Sequence, residues 1–221
     1  MSPINSVAIP TIKNPWLDRH SQLCELAKSD SFRILFLGDS ITEAWSTYGA
    51  ATWDTFYAKR KAVNFGINGE RVQNLIWRVL NGALDNISPS LVVILIGTNN
   101  IDRNPVTHIA EGIQVLLQHI VERLPHARIL LLGVLPREKD PEALKRKLVG
   151  DLNAMLASAT FPKKIHYLDI GSAFLDPDGH LPVEFFPDGL HPRAEAYAIL
   201  ADRIEPMIQA LLDEIAPTVG N

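Results

Sequence analysis

Ser40, Gly69, Asn99, Asp188 and His191 are the residue types that acyl transfer to a serine would need. A serine hydroxyl is a poor nucleophile until a neighbouring base takes its proton. Imidazole suits that task because it titrates near neutrality. A carboxylate on its other nitrogen fixes the tautomer and stabilises the imidazolium. Asp188 precedes His191 by three residues, so one turn can hold both, and of the seven histidines only His191 has an aspartate at that spacing. The tetrahedral intermediate places negative charge on the carbonyl oxygen, which preset N–H donors stabilise. The side-chain amide of Asn99 and the backbone N–H groups of Gly69 and Ser40 are candidate donors, Gly69 because glycine lets a backbone approach closely. Each residue also has a plain role. Ser40 can cap a helix, Gly69 and Asn99 can serve as loop residues, and Asp188 with His191 fits an ordinary turn.

These residues lie far apart along the chain, so the fold must gather them. Short apolar runs rich in β-branched residues occur at 33–37, 62–65, 91–96, 129–135 and 165–168. Several are apolar at every position, as strands covered on both faces are. Between them lie helical stripes. One is formed by Val72, Leu75, Ile76, Val79 and Leu80. A second runs through Ile109, Ile113, Leu116, Leu117, Ile120, Val121 and Leu124, and a third through Leu144, Leu148, Leu152, Met155 and Leu156. Residues 192–212 read as a long terminal helix with Ala196, Ile199, Leu200 and Ile204 inward. This alternation predicts an open α/β sandwich. With no repeat and no linker, it reads as a single domain over residues 1–221. Ligands of such sheets sit at the carboxyl ends of the strands. Gly38-Asp39-Ser40, the stretch ending in Gly69, and Gly97-Thr98-Asn99-Asn100 follow the first three runs, and Asp188-Gly189-Leu190-His191 follows the fifth.

Composition narrows the function classes. A length of 221 residues suits one core. The net charge of −4 gives no footprint for nucleic acid or an anionic membrane. No apolar run approaches the roughly 20 residues that span a bilayer, and the first 16 residues carry neither the basic start nor the apolar stretch of a leader peptide. A single cysteine, Cys24, excludes an internal disulfide, fits a reducing compartment and reads as a small buried apolar residue. A cytoplasmic location is the expectation.

The four segments together resemble the SGNH (GDSL) hydrolases, in order and across most of the chain. The resemblance is strongest to the branch of the intracellular platelet-activating-factor acetylhydrolase catalytic subunits. NFGINGE, NLIWRVLNGALDNISP, VVILIGTNN, LLGVLPRE and DGLHP carry it, with Trp16 and His20 upstream. It implies a three-layer α/β/α sandwich on a five-stranded parallel sheet of flavodoxin-like order. It also implies Ser40 as nucleophile, Asp188 and His191 as the rest of a triad, and Ser40, Gly69 and Asn99 as the oxyanion hole. Ile41, Thr98 and Leu190 match the positions that keep the branch's acyl pocket small. That implies acetyl or another short acyl group, although Ile41 replaces a leucine and alters the pocket's shape. Homodimerisation is a further implication. A small ester is the implied substrate, and neither metal nor cofactor is implied. The G-x-S-x-G elbow of other serine hydrolases is absent, Thr42 standing at its second glycine.

Other readings remain open from sequence. One is a longer-acyl lysophospholipase or a carbohydrate acetylesterase. A second is a metal-dependent phosphoesterase with Asp39, Asn99, Asp188 and His191 as ligands, and a third is a non-catalytic binding module. Trp45, Trp53, Phe56 and Tyr57 could line the alcohol side or pack in the core. Glu43 could contact a leaving group or lie on a solvated helix face. Asp176–His180 reads as a turn, since it lacks the further ligands of a calcium loop.

Overall fold

The structure, a computed structural model, describes residues 5–29 and 32–214; the first four residues of the segment searched for a leader lie outside it. Five strands form one sheet: β1 (Ile34–Gly38), β2 (Ala62–Gly66), β3 (Leu91–Leu95), β4 (Arg128–Leu132) and β5 (Ile165–Leu168). The helices are α1 (Leu17–Ser29), α2 (Ser40–Glu43), α3 (Ala50–Phe56), α4 (Val72–Leu80), α5 (Val106–Arg123), α6 (Leu144–Ser158) and α7 (Ala194–Asp213).

All strand pairs are parallel, in the order β2-β1-β3-β4-β5. This is the flavodoxin-like order, in which the chain reverses direction across the sheet between β1 and β3 and opens a crevice at their carboxyl ends. β1 and β3 are buried at every position, which explains their unbroken apolar sequences. Alternate side chains feed two cores. Leu35 and Leu37 face the layer that contains α4, α5 and α6, while Ile34 and Phe36 face α7. Gly38 pairs with both Gly66 and Leu95, so the loops after β1, β2 and β3 leave the sheet at one level. A Cβ on Gly38 would fall 2.2 Å from the Leu95 carbonyl oxygen, so only glycine allows the turn into α2 there.

Two element readings need correction. β4 ends at Leu132, yet Val134 and Leu135 are buried. The side chain of Asn153 on α6 replaces a strand partner for Val134, with its Oδ1 accepting from the Val134 N–H and its Nδ2 donating to the Val134 oxygen, both at 2.9 Å. An apolar run therefore continues past the end of the ladder. On α6 the buried face is Val149, Leu152, Asn153 and Leu156, whereas Leu144 is 71% exposed and Met155 36% exposed. The helix is turned to bring Asn153 inward, which displaces the stripe read from leucines and methionine alone. Cys24 is half-buried rather than buried, with its Sγ 3.6 Å from His20 Nε2.

Candidate active site

Ser40 is the first residue of α2, directly after the β1 turn, and is half-buried. The capping role open to it from sequence belongs to Asp39, whose Oδ1 accepts the Ile41 N–H at 3.0 Å. Ser40 is left with its hydroxyl free of the cap and with an N–H at a position that has no intrahelical acceptor. Its Oγ lies 3.0 Å from His191 Nε2, across 151 residues of chain.

His191 and Asp188 share a tight loop before α7. Asp188 Oδ2 lies 2.7 Å from His191 Nδ1, while Oδ1 accepts the N–H groups of Leu190 and His191 at 3.0 and 2.8 Å. Burial pushes the Asp188 carboxyl upward, but these hydrogen bonds outweigh it and hold the group near 2. The loop is tied down from both sides. The Gly189 N–H donates to the Phe186 oxygen at 2.9 Å and the Gly189 oxygen accepts the Glu138 N–H at 2.7 Å. Phe186 is fully buried against Phe174. Arg146 fixes the strut on the other side by donating to the Arg137 and Glu138 carbonyls.

Gly69, in the loop after β2, adopts φ +67°, the left-handed region that favours glycine. Asn99 follows β3, and its Nδ2 donates to the Glu70 oxygen at 2.9 Å. The amide carries a second N–H. Sequence reading gave no role to the pair beneath it. Arg78 Nη1 donates to Glu70 Oε2 at 2.6 Å and Nη2 to the Phe65 oxygen at 2.9 Å. Both side chains are buried. Burial raises the Glu70 carboxyl to about 7, with the Arg78 charge pulling it back. Their effect is to fix the loop that holds Gly69, Glu70 and hence Asn99. Asn100 adds a tie by accepting the Val72 N–H and donating to Gln73.

From sequence Asp39 entered the site only as a metal ligand of the phosphoesterase alternative, whereas the structure gives it the α2 cap. It is 1% exposed, and burial raises its carboxyl to about 7, while the His191 charge acts in the opposite direction. Ile41 and Thr98 are buried at 2% and 3% exposure, and Leu190 is half-buried beside His191. The Ile41 oxygen accepts the Tyr197 hydroxyl at 2.6 Å, which fixes α2 against α7.

Trp45 and Tyr57 are buried, with Trp53 and Phe56 packed beside them on the α7 side. Trp45 and Tyr197 rings are 4.6 Å apart, as the core reading requires. Glu43 is half-buried. Asp176 Oδ1 accepts from the Asp178 and His180 N–H groups, closing the expected turn. Of the donors offered for a metal, Asp188 is engaged with His191 and Asp39 with Ile41. Among the described residues no three His, Cys, Asp or Glu side chains are grouped to hold an ion.

The GDSL-like lipase/acylhydrolase family model matches residues 36–199. Platelet-activating factor acetylhydrolase IB subunit alpha2 of Rattus norvegicus is 33% identical over 201 residues, covering 90% of this chain and 86% of its own. Among solved structures, a GDSL-like lipase from Bacteroides thetaiotaomicron has a TM-score of 0.69 at 22% identity, over 89% of this chain and 97% of its own. An acetylxylan esterase from Geobacillus stearothermophilus has a TM-score of 0.63 at 20% identity, over 86% and 96%. No helix among the described residues is long and apolar enough to cross a membrane.

Proposed function

The chain belongs to the GDSL-like lipase/acylhydrolase family and is a carboxylic-ester hydrolase, and from that premise we propose that it removes short, acetyl-type acyl groups through an acyl-enzyme on Ser40. The observation that carries this reading is the hydrogen-bonded series of Ser40 Oγ, His191 and Asp188, with links of 3.0 and 2.7 Å. His191 Nε2 takes the hydroxyl proton as Oγ attacks the ester carbonyl. The oxyanion draws on the Ser40 and Gly69 N–H groups and the second Asn99 N–H. The imidazolium, stabilised by Asp188, returns its proton to the leaving alcohol. Water then attacks the acyl-serine, with His191 again as base. Ile41, Thr98 and Leu190 bound the acyl side. The same reading includes a homodimer and a cytoplasmic setting, the latter supported by the free Cys24 thiol.

A serine-directed phosphonate is expected to modify Ser40 alone, read by peptide mass. On aryl esters, kcat/KM is expected to fall roughly tenfold or more from acetate to hexanoate, the scale on which pocket fit discriminates chain length. A rising series would assign a long-chain lipase instead, and an unlabelled serine with full turnover would remove the acyl-enzyme.

Asn99→Ala is expected to lower kcat roughly 10²–10³-fold, about 3–4 kcal/mol, the usual cost of one oxyanion donor. A loss below threefold would show that the amide does not face the oxyanion. The rate is also expected to rise with pH from the acid side, because only the neutral ring accepts the proton. Asp188 stays charged down to about pH 2 and adds nothing to that limb. A flat profile there would point to another base.

A further inference from the structure

A cavity of about 490 Å³ opens beside the proposed oxyanion donors. Gly69, Asn99 and Leu190 line it, Leu190 being shared with the acyl side, and the remaining lining residues are all charged: Lys13, Arg71, Arg103, Arg137 and Asp102. Four of these five are cations, in a chain with 21 basic and 25 acidic residues. The placement therefore runs against the chain's own balance. The one carboxylate is already shared: Asp102 lies 3.7 Å from Arg137 Nη2 and 3.4 Å from Lys145 Nζ. That leaves a surplus of positive charge facing the cavity.

Two of the cations are held under electrostatic stress. Arg137 is 7% exposed. Its Nη1 donates to the Thr98 oxygen at 2.9 Å, its Nε is buried with no partner, and its carboxylate neighbour is beyond hydrogen-bond distance. A buried guanidinium without a close anion is costly. Lys13 sits with its Nζ 3.0 Å above the Trp16 ring. Burial, followed by the charges of Arg71 and Arg103, lowers its ammonium below the usual lysine range, against the pull of Glu70. An anion in the cavity relieves both residues. Any group there is also next to a carbonyl lying on Gly69 and Asn99. On the short-acyl reading above, the charge belongs to the other half of the ester.

We propose that the natural ester carries a negatively charged group, a phosphate or a carboxylate, on its alcohol half, seated among Lys13, Arg71, Arg103 and Arg137. This rests on the short-acyl esterase reading above. The test is kcat/KM on matched aryl acetates: 4-acetoxybenzoate, the neutral 4-acetoxybenzamide and a trimethylammonium-substituted phenyl acetate. Each value is divided by the ester's alkaline hydrolysis rate to remove leaving-group differences. The anion is expected to lead the neutral ester by on the order of tenfold, the scale of a charged hydrogen bond, with the cation last and the spread narrowing as salt screens it. The paired substitution R71Q/R103Q is expected to bring the anion-to-neutral ratio close to one. Because the readout is a ratio, a general loss of activity in the variant does not imitate this result. Acetylglycerol phosphate set against acetylglycerol separates phosphate recognition from carboxylate recognition. An aryl hemisuccinate set against its methyl ester places the charge on the acyl half, and a preference found only there overturns the assignment to the alcohol. Hydrolysis of all the acetates with a ratio at or below one overturns the inference while leaving the esterase reading intact. Hydrolysis of none overturns both.

Discussion

Replacing Ser40 with alanine is expected to lower kcat on a short aryl acetate by roughly 10⁴–10⁶-fold, the scale of losing a catalytic nucleophile. The structure separates this effect from loss of fold. Asp39 caps α2 and Tyr197 holds the Ile41 carbonyl, so neither contact depends on the Ser40 side chain. Its Oγ reaches His191, at a half-buried position where alanine fits. The melting temperature should therefore stay near that of the parent protein while turnover disappears. Retained activity in a folded S40A protein would end the proposal that the acyl group passes through this residue.

The second large effect is expected from His191→Ala. Without the imidazole, the Ser40 proton has no acceptor during attack and the alcohol has no donor as it leaves. The loss should approach that of S40A. Asp188 would keep its hydrogen bonds to the backbone N–H groups of positions 190 and 191, so the loop should hold its shape. The double variant gives the sharper measurement. Two groups acting in one proton transfer fail together, so S40A/H191A should be about as slow as either single variant. Losses that multiply would mean that the two side chains act in separate steps.

Strands buried on both faces announced themselves as unbroken apolar runs, and the glycine-bearing segments at their ends marked where the site would lie. Reading failed where tertiary contacts took over. The run through Val134 and Leu135 looks like strand because both residues are buried, but an asparagine side chain completes the backbone hydrogen bonding there. The α6 stripe went astray because a polar residue, Asn153, occupies the inward face. α1 gave little signal because only Leu23 and Ala27 of its residues reach the core. The supporting polar groups were least legible of all. Glu70 and Arg78 are eight residues apart, with ordinary identities, and only the folded chain shows both buried and joined. Arg137 likewise becomes notable only when its neighbours at the cavity are known. Residues 188–191 were easier to see because their relationship is local.

That locality has an architectural consequence. Aspartate and histidine arrive as a prefabricated cassette, their mutual aim set by four residues and anchored through Phe186 and Gly189. Only one dimension, from Ser40 to His191, has to be surveyed across the whole sheet. The cassette can consequently be shifted as a rigid piece without spoiling its internal alignment. The other loops around the cavity are free to diverge in size and charge, retuning which esters enter while the chemical centre is inherited unchanged.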